Sequence, residues 1–102
     1  MNLLFVCTGN TCRSAMAEAI ARRLVAENIE QYGDFQISSA GVMCAGPSAA
    51  STQAVQVAAQ HGCDLSQFTA KQVTAPLVEQ ADYIFVMTRG HKQMLESALP
   101  QC

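Results

Sequence analysis

The sequence predicts a single α/β domain of 102 residues, arranged in three layers around a small parallel sheet. Short apolar runs alternate along the chain with longer stretches whose apolar residues repeat at helical spacing. The first apolar run ends in a glycine-containing loop that leads directly into a helix, as expected where crossover helices join parallel strands. Ligands of such folds bind at the carboxyl ends of the strands.

The first strand and the first helix follow each other directly. Residues 2–6 form a nearly continuous apolar run, which is typical of a central parallel strand covered on both faces. Residues 15–28 are predicted to be a helix in which Glu18 and Arg22 pair on the solvent face. The apolar stripe of this helix is predicted to consist of Met16, Ile20 and Leu24, with Ala17 and Ala21 beside it.

Glycine and proline separate the remaining elements. Gly33 breaks the first helical pattern, and the irregular residues 41–50 are predicted to form a loop that overhangs the loop after the first strand. The other predicted elements are a strand at 35–40, a helix at 51–61 that stops at Gly62, a short helix capped by Thr74, a strand at 82–87 and a last helix at 91–99 that ends at Pro100.

The segment between the first strand and the first helix carries the chemistry. Residues 7–14, here called the Cys7 loop, read Cys-Thr-Gly-Asn-Thr-Cys-Arg-Ser. Backbone N–H groups of such a loop and of the helix start converge on an anion, and the helix dipole adds about half a unit of positive charge. Arg13 supplies a planar guanidinium suited to phosphate, and Gly9 is expected to let the loop curl without a Cβ clash. The dipoles, Arg13 and a hydrogen bond from Ser14 favour a thiolate at Cys7, which makes Cys7 a candidate nucleophile.

Composition and charge argue against several classes of protein. With 50% hydrophobic and 14% charged residues, the chain is expected to fold as a compact globule rather than remain disordered. Its net charge of −2 gives no broad attraction to nucleic acid, and acidic residues accompany the basic pair Arg22-Arg23. No apolar run approaches the roughly 18 residues of a membrane span, and no basic leader is evident, so a cytoplasmic protein without a membrane partner is expected.

The cysteines indicate neither a disulfide framework nor a metal site. There are five, scattered along the chain, so reduced thiols are expected. Cys7 and Cys12, together with His61 and Cys63, lack the spacing of zinc fingers and ribbons. Neither a metal nor a cofactor is therefore predicted.

The string from Val6 to Ser14 resembles the active-site loop of the low-molecular-weight protein tyrosine phosphatase family. The resemblance implies a sheet of strand order 2-1-3 and hydrolysis of a phosphorylated protein through a phosphocysteine. In those roles Cys7 attacks phosphorus, Arg13 clamps the phosphate oxygens, and Ser14 eases departure of the thiolate. The phosphate-binding positions between them are Thr8, Gly9, Asn10, Thr11 and Cys12.

The resemblance also implies supporting, redox and specificity roles. Asn10 matches an asparagine that bonds a serine at the end of the next strand and holds the loop open, and Ser39 matches that serine. Cys12 matches a second cysteine that forms a reversible disulfide with the nucleophile in relatives, although it can also be read as a small buried hydrophobe. Thr11 resembles the protein-arginine phosphatase branch, because tyrosine phosphatases usually carry an aliphatic residue there. Further resemblance to that branch comes from Ala81-Asp82, Met87-Thr88 and His91-Lys92-Gln93.

The family's general acid, an aspartate in an Asp-Pro pair, has no counterpart in this sequence. The aspartates are Asp34, Asp64 and Asp82. All are expected at the amino end of the sheet, opposite Cys7. Glu18 and His91 lie nearest to Cys7 in topology but are expected to be helix-surface residues, and His61 is expected to cap a helix. Because loss of a general acid typically costs about 10²–10⁴ in rate, slow turnover is expected.

The family's fourth strand and last helix also have no counterpart, so the domain at residues 1–102 is expected to be incomplete at its carboxyl end. Strand three then becomes an apolar edge, and a homodimer through this edge is predicted. Three alternatives stay open: phosphotyrosine rather than phosphoarginine as substrate, binding of phosphate or vanadate without turnover, and thiol-coupled arsenate reduction. The last needs two further cysteines near strand three, and residues 82–101 contain none.

Overall fold

Strands and helices alternate along the chain in the predicted order. The computed structural model describes residues 1–44 and 46–86. Its elements are β1 (Asn2–Cys7), α1 (Arg13–Glu27), α2 (Ile29–Tyr32), β2 (Gln36–Gly41), α3 (Thr52–Gln60), α4 (Ala75–Gln80) and β3 (Tyr83–Val86). The predicted strands and helices are confirmed within this part of the chain, whereas the short α2 was not predicted. The helix predicted at 91–99 lies outside the described residues.

The strands form a parallel sheet of order β2-β1-β3, which confirms the order 2-1-3. β1 is central. Its Leu4 and Val6 side chains are 1% and 0% exposed, so one face of the strand is buried as the apolar run predicts, whereas Leu3 and Phe5 on the other face are half-buried. Cys7, the last residue of β1, pairs with Gly41 of β2. The candidate nucleophile therefore lies at the carboxyl edge of the sheet.

Helices cover both faces of the sheet and give the three predicted layers. On one face, Leu4, Val6 and Ala40 pack with Val73 and with Val78 of α4. On the other face, α1 packs against β1 and β2 and also contacts α3. Small residues fill the space between α1 and α3, in a cluster formed by Ala15, Ala50, Ala54, Ala58, Cys63 and Leu65. The sheet is thus enclosed where it supports the Cys7 loop.

The predicted apolar stripe of α1 is wrong in its orientation. Met16 packs partly against the α1–α3 cluster, but Ile20 is 40% exposed and Leu24 55% exposed. The helix instead buries Ser14 and Ala15 in its first turn. Small side chains let its backbone approach the sheet closely, and polar partners in the sheet decide which face turns inward. None of the described helices is long and apolar enough to cross a membrane.

Candidate active site

The Cys7 loop is held against the end of β2. Beyond the Cys7–Gly41 pair, the Cys7 carbonyl accepts a hydrogen bond from Val42 N at 2.9 Å. The Thr8 carbonyl likewise accepts one from Met43 N at 2.9 Å. The segment after β2 therefore runs along the loop, as predicted for the start of residues 41–50.

Close approach requires a glycine at position 41 rather than at position 9. A Cβ on Gly41 would lie 2.5 Å from the Thr8 carbonyl oxygen and 3.0 Å from Asn10 N. A Cβ on Gly9 would meet Thr11 Oγ1 at the ordinary contact distance of 3.8 Å. The expectation that Gly9 avoids a Cβ clash is therefore wrong. The left-handed residue of the loop is Asn10, with a φ of 57°, and asparagine tolerates this region better than most residues.

The Asn10 side chain is the hub of a buried hydrogen-bond network. It is fully buried, and its Nδ2 donates to Ser14 Oγ at 2.8 Å and to Ser39 Oγ at 2.9 Å. Its Oδ1 accepts from the backbone N–H of Lys71 at 3.0 Å. Since a backbone N–H can only donate, this contact fixes which side-chain atom is the oxygen. The Asn10–Ser39 contact implied by the resemblance is thus present, and a third partner joins it.

The Cys7 thiol lies inside this network. Its Sγ is 2.8 Å from Ser14 Oγ and accepts a hydrogen bond from Asn10 N at 3.2 Å, while the residue is 4% exposed. Hydrogen bonds that donate to a sulfur stabilise its anionic form relative to the thiol. The arrangement therefore suits a thiolate in a protected position.

The other predicted loop residues surround this centre. Arg13 begins α1 and is exposed, and within residues 1–44 and 46–86 no hydrogen bond or ion pair occupies its guanidinium. Cys12 is the half-buried N-cap of α1 and makes no side-chain capping bond. The Thr11 carbonyl accepts a hydrogen bond from Ser51 N at 2.8 Å. The described cysteines are free thiols, so a disulfide between Cys7 and Cys12 remains a prediction.

Glu18 is the residue whose place was wrongly predicted. Its side chain is only 14% exposed; Oε1 accepts a hydrogen bond from Ser39 Oγ at 2.9 Å, and Oε2 lies 3.4 Å from Arg22 Nε. The expected pair with Arg22 is confirmed, but its location on the solvent face is wrong. Ser14 and Glu18 are four residues apart and so share one face of α1, a signal that the sequence did contain.

The segment after α3 contributes through its backbone. Lys71 donates its N–H to Asn10, and its carbonyl accepts from Gly41 N at 2.9 Å. The sequence of residues 69–73 is polar and irregular and gave no sign of this role. A backbone contact of this kind leaves little trace in the identity of the side chain.

The remaining candidates lie away from the loop or outside the described part. Asp82 Oδ2 accepts from Asn2 N at 2.7 Å at the amino end of the sheet, as expected, and Asp34 precedes β2 at the same end. His61 is the C-cap of α3, also as expected, whereas His91 is not among the described residues. Within residues 1–44 and 46–86, no three His, Cys, Asp or Glu residues form a group that could hold a metal ion.

Fold and loop together define a class: an α/β protein with a buried cysteine in a strand–loop–helix connection suited to anions. A sequence profile of the family described as low molecular weight phosphotyrosine protein phosphatase matches residues 2–101. The chain therefore belongs to the low molecular weight phosphotyrosine protein phosphatase family.

Relatives with two different named activities match the chain. It is 39% identical over 98 residues to a probable low molecular weight protein-tyrosine-phosphatase, EpsP, of Ralstonia nicotianae, covering 96% of this chain and 63% of that protein. It is 37% identical over 99 residues to a protein-arginine-phosphatase of Geobacillus stearothermophilus, covering 97% of this chain and 62% of that protein.

Solved structures agree in fold. The Drosophila arginine phosphatase DARP matches with a TM-score of 0.89 at 32% identity, covering 99% of this chain and 63% of that one. A C7S mutant of the YwlE arginine phosphatase, with a phosphorylated active-site serine, matches with a TM-score of 0.87 at 35% identity, covering 99% and 64%. The chain thus spans less than two thirds of the length of each of these relatives.

Proposed function

We propose that this domain is a protein phosphatase that uses Cys7 as its nucleophile. The observation that carries the proposal is the buried Cys7 Sγ, which accepts a hydrogen bond from Asn10 N and lies 2.8 Å from Ser14 Oγ inside a loop that opens α1. Support also comes from the structure of the YwlE arginine phosphatase, a C7S mutant with a phosphorylated active-site serine.

The reaction has two displacement steps at phosphorus. The Cys7 thiolate attacks, and an S–P bond forms while the bond from phosphorus to the leaving group breaks; the leaving group takes a proton from solvent. Water then attacks phosphorus, the S–P bond breaks, and phosphate and the thiolate are released. Splitting one difficult step into two easier ones is the general gain of covalent catalysis.

Arg13 and Ser14 have separate roles in these steps. The exposed Arg13 guanidinium lies at the start of α1, where its planar fork can hold two phosphate oxygens. Backbone groups of residues 8–12 complete the phosphate site. The Ser14 hydroxyl, 2.8 Å from Cys7 Sγ, donates a hydrogen bond to the sulfur as it leaves phosphorus. Asn10 and Ser39 support the loop, and Cys12 is the proposed disulfide partner of Cys7.

We expect the turnover of an activated aryl phosphate to depend on Cys7. With p-nitrophenyl phosphate, the Cys7→Ser variant should fall to the uncatalysed rate, because the serine hydroxyl is a far weaker nucleophile than a thiolate. Cys63→Ser is the matched control, since Cys63 is a buried cysteine in the α1–α3 cluster, away from the loop. Equal rates in the wild type and Cys7→Ser would refute the proposal.

Phosphoarginine is the proposed substrate group, and Thr11 is the residue that favours it. The isosteric Thr11→Val variant removes one hydroxyl and should lower the ratio of phosphoarginine to phosphotyrosine hydrolysis about tenfold, as expected for loss of one polar contact. Phosphotyrosine is the second candidate, and the match to EpsP favours it. A wild-type preference for tyrosine-phosphorylated protein, unchanged in Thr11→Val, would reverse the order of the two.

Phosphate binding without turnover is the non-catalytic alternative. No Asp-Pro pair occurs in the 102 residues, so an activated leaving group is the appropriate first substrate. Calorimetry with vanadate on the same preparation separates the outcomes. Binding without hydrolysis favours the alternative, and absence of binding refutes both.

Self-association and a cytoplasmic location complete the proposal. β3 is the outer strand of the sheet formed by the described residues, and its Tyr83 and Phe85 side chains are 56% and 45% exposed; an apolar outer strand of this kind favours pairing with a second copy. Sedimentation at several concentrations tests this: a monomer throughout would refute it.

We also propose a cytoplasmic location. The free thiols at the described cysteines suit a reducing compartment such as the cytoplasm.

A further inference from the structure

We propose that Glu18 is a positioning residue for Cys7. Together with the backbone N–H of Lys71, its carboxylate fixes the direction of a hydrogen-bond chain that runs through Ser39, Asn10 and Ser14, so that the Ser14 hydroxyl donates to Cys7 Sγ. The inference rests on the proposed function in one respect, namely that Cys7 reacts as a thiolate. It adds a residue on the outer side of the network to those of the loop itself.

One end of the chain is fixed by Glu18. An ionised carboxylate can only accept hydrogen bonds, so the contact of 2.9 Å between Ser39 Oγ and Glu18 Oε1 must use the Ser39 proton. Ser39 is fully buried, and its lone pairs are then left to accept from Asn10 Nδ2 at 2.9 Å. The carboxylate thereby determines which partner donates in the next bond.

The other fixed point is the backbone N–H of Lys71. It can only donate, so the Asn10 atom that faces it must be Oδ1. Asn10 Nδ2 therefore points toward both serines and donates to each of them. A flipped Asn10 would set two donors against each other at Lys71 and would gain nothing in return while Ser39 has the Glu18 carboxylate as its acceptor, so the flipped state is disfavoured in the wild type.

These two constraints decide the bond at the sulfur. Ser14 Oγ accepts from Asn10 Nδ2 at 2.8 Å, so its own proton is available to Cys7 Sγ at 2.8 Å. Ser14 is fully buried, and no bulk water can compete for this proton. The Ser14–Cys7 bond thus acquires a single direction, and that direction stabilises the thiolate.

Arg22 holds the Glu18 carboxylate in place, and two other charged residues lie near it. Arg22 lies 3.4 Å from Oε2 and also donates Nη2 to the Ile37 carbonyl at 2.8 Å. A cavity of about 390 Å³ beside Glu18 is lined further by Asp64 and Lys71. Arg22 therefore contacts Oε2 of Glu18 and leaves Oε1 free to accept from Ser39.

An isosteric Gln separates the direction of the bond from the shape of the side chain. In Glu18→Gln, the amide oxygen is expected to face Arg22, so the amide NH₂ faces Ser39 and donates to it. The Ser39 hydroxyl then has no carboxylate to donate to. It competes with the Lys71 N–H as a donor to Asn10 Oδ1. Asn10 is drawn toward its flipped state, in which its oxygen attracts the Ser14 proton away from Cys7.

The test measures alkylation of Cys7 by iodoacetamide between about pH 5 and about pH 9, followed by mass spectrometry of the Cys7 peptide. Glu18→Gln should slow alkylation near neutral pH by about tenfold and move its pH profile upward, since one charge-assisted bond is lost. A carboxylate that acted only through space would give the opposite sign, because removing a negative charge favours the thiolate. Faster or unchanged alkylation would therefore overturn the inference.

Glu27→Gln is the matched control, because Glu27 lies on the same helix in an exposed pair with Arg23. Its alkylation profile should equal that of the wild type. Ser39→Ala provides a second variant, because it removes the hydroxyl that would draw Asn10 into its flipped state; it should therefore abolish the effect of Glu18→Gln when the two are combined. Additive effects in the double variant would contradict transmission through Ser39.

Failure of the inference and failure of the proposed function give different results. Alkylation requires no phosphatase turnover, so it reports on Cys7 even if the domain hydrolyses nothing. Where turnover is measured, Glu18→Gln should lower kcat about tenfold with KM changed less than about twofold, because Glu18 acts on the sulfur and not on bound phosphate. A change confined to KM would also overturn the inference.

Discussion

Two glutamate–arginine pairs on α1 share residue types and spacing but differ in surroundings. Arg22 and Glu18 are 3.4 Å apart, with a Glu18 side chain that is 14% exposed. Arg23 and Glu27 are 2.6 Å apart, with a Glu27 side chain that is 52% exposed. The shorter pair has less consequence for the Cys7 loop, because solvent screens it and its arginine donates to the His61 carbonyl at the end of α3 rather than to the loop. Contact distance alone is therefore a poor guide to the importance of an ion pair.

The difference comes from what lies on the far side of each carboxylate. Glu18 contacts the buried Ser39 and is linked through it to Asn10, whose two serine partners are also hidden from water. The Glu27 carboxylate, by contrast, contacts only Arg23 among the described residues. The hydrogen bond between them raises the pKa of the Arg23 guanidinium. Breaking a buried hydrogen-bond network costs much folding free energy, because each group that loses its partner stays out of contact with water.

The largest expected effect on stability comes from replacing Asn10, the central residue of the buried hydrogen-bond network. Asn10→Ala removes the side-chain acceptor of the Lys71 N–H and one of the two side-chain partners of Ser14 and of Ser39, and it places alanine at a φ of 57°. We expect a loss of about 3 kcal/mol or more in the free energy of unfolding, measured by urea denaturation followed by circular dichroism. A loss below about 1 kcal/mol would show that water replaces the amide.

The next effect tests how tightly the loop is held against β2. Gly41→Ala sets a Cβ 2.5 Å from the Thr8 carbonyl oxygen and should destabilise the fold by about 1–3 kcal/mol. Gly9→Ala is the matched control, because its Cβ meets Thr11 Oγ1 at 3.8 Å, and its free energy of unfolding should change by less than about 0.5 kcal/mol. Equal losses in the two variants would contradict the close approach at position 41.

The exposed pair supplies the reference for these changes. Glu27→Gln should leave the urea midpoint of unfolding unchanged within error, at low salt and at high salt, because the pair is solvated. A clear loss of stability would remove the contrast between the two pairs. The same urea titration of Glu18→Gln is expected to show a measurable loss.

The smallest effect concerns a carboxylate outside both pairs. Hydrogen bonds from the Ser66 side chain and backbone N–H lower the pKa of Asp64 below its ordinary value of 3.8. A lowered pKa in the folded state adds stability above the unfolded pKa, and this is lost as pH falls through the folded pKa. Asp64→Asn should therefore unfold with slightly less acid dependence than the wild type between roughly pH 5 and roughly pH 2. Identical acid dependence would contradict this contribution.

The fold and the identity of the loop could be predicted because they depend on local patterns. The apolar run of β1 and the turn residues after it specify a buried strand that ends at Cys7. The orientation of α1 could not be predicted from apolar residues, because Ile20 and Leu24 are exposed and the buried face carries Ser14 and Glu18. Polar residues turn inward only when partners from distant segments meet them, and those partners are set by tertiary structure.

The candidate site was predicted where side chains specify it and missed where the backbone does. Cys7, Asn10 and Ser39 come together as the resemblance implies. The N–H of Lys71 and the close approach at Gly41 were missed, because each depends on main-chain position rather than on a recognisable side-chain pattern. The sequence pattern predicts a surface position for Glu18, because a helical pair such as Glu18 and Arg22 is usually solvated.

The backbone hydrogen bonds that continue from the β1–β2 pair into the start of the Cys7 loop also affect the affinity for an anion. The Cys7 and Thr8 carbonyls are already bonded to Val42 and Met43. The entropy of ordering this part of the loop is therefore lost on folding and not when an anion arrives. Binding of phosphate should then proceed with little change of backbone shape, so more of the contact free energy of the anion remains as affinity.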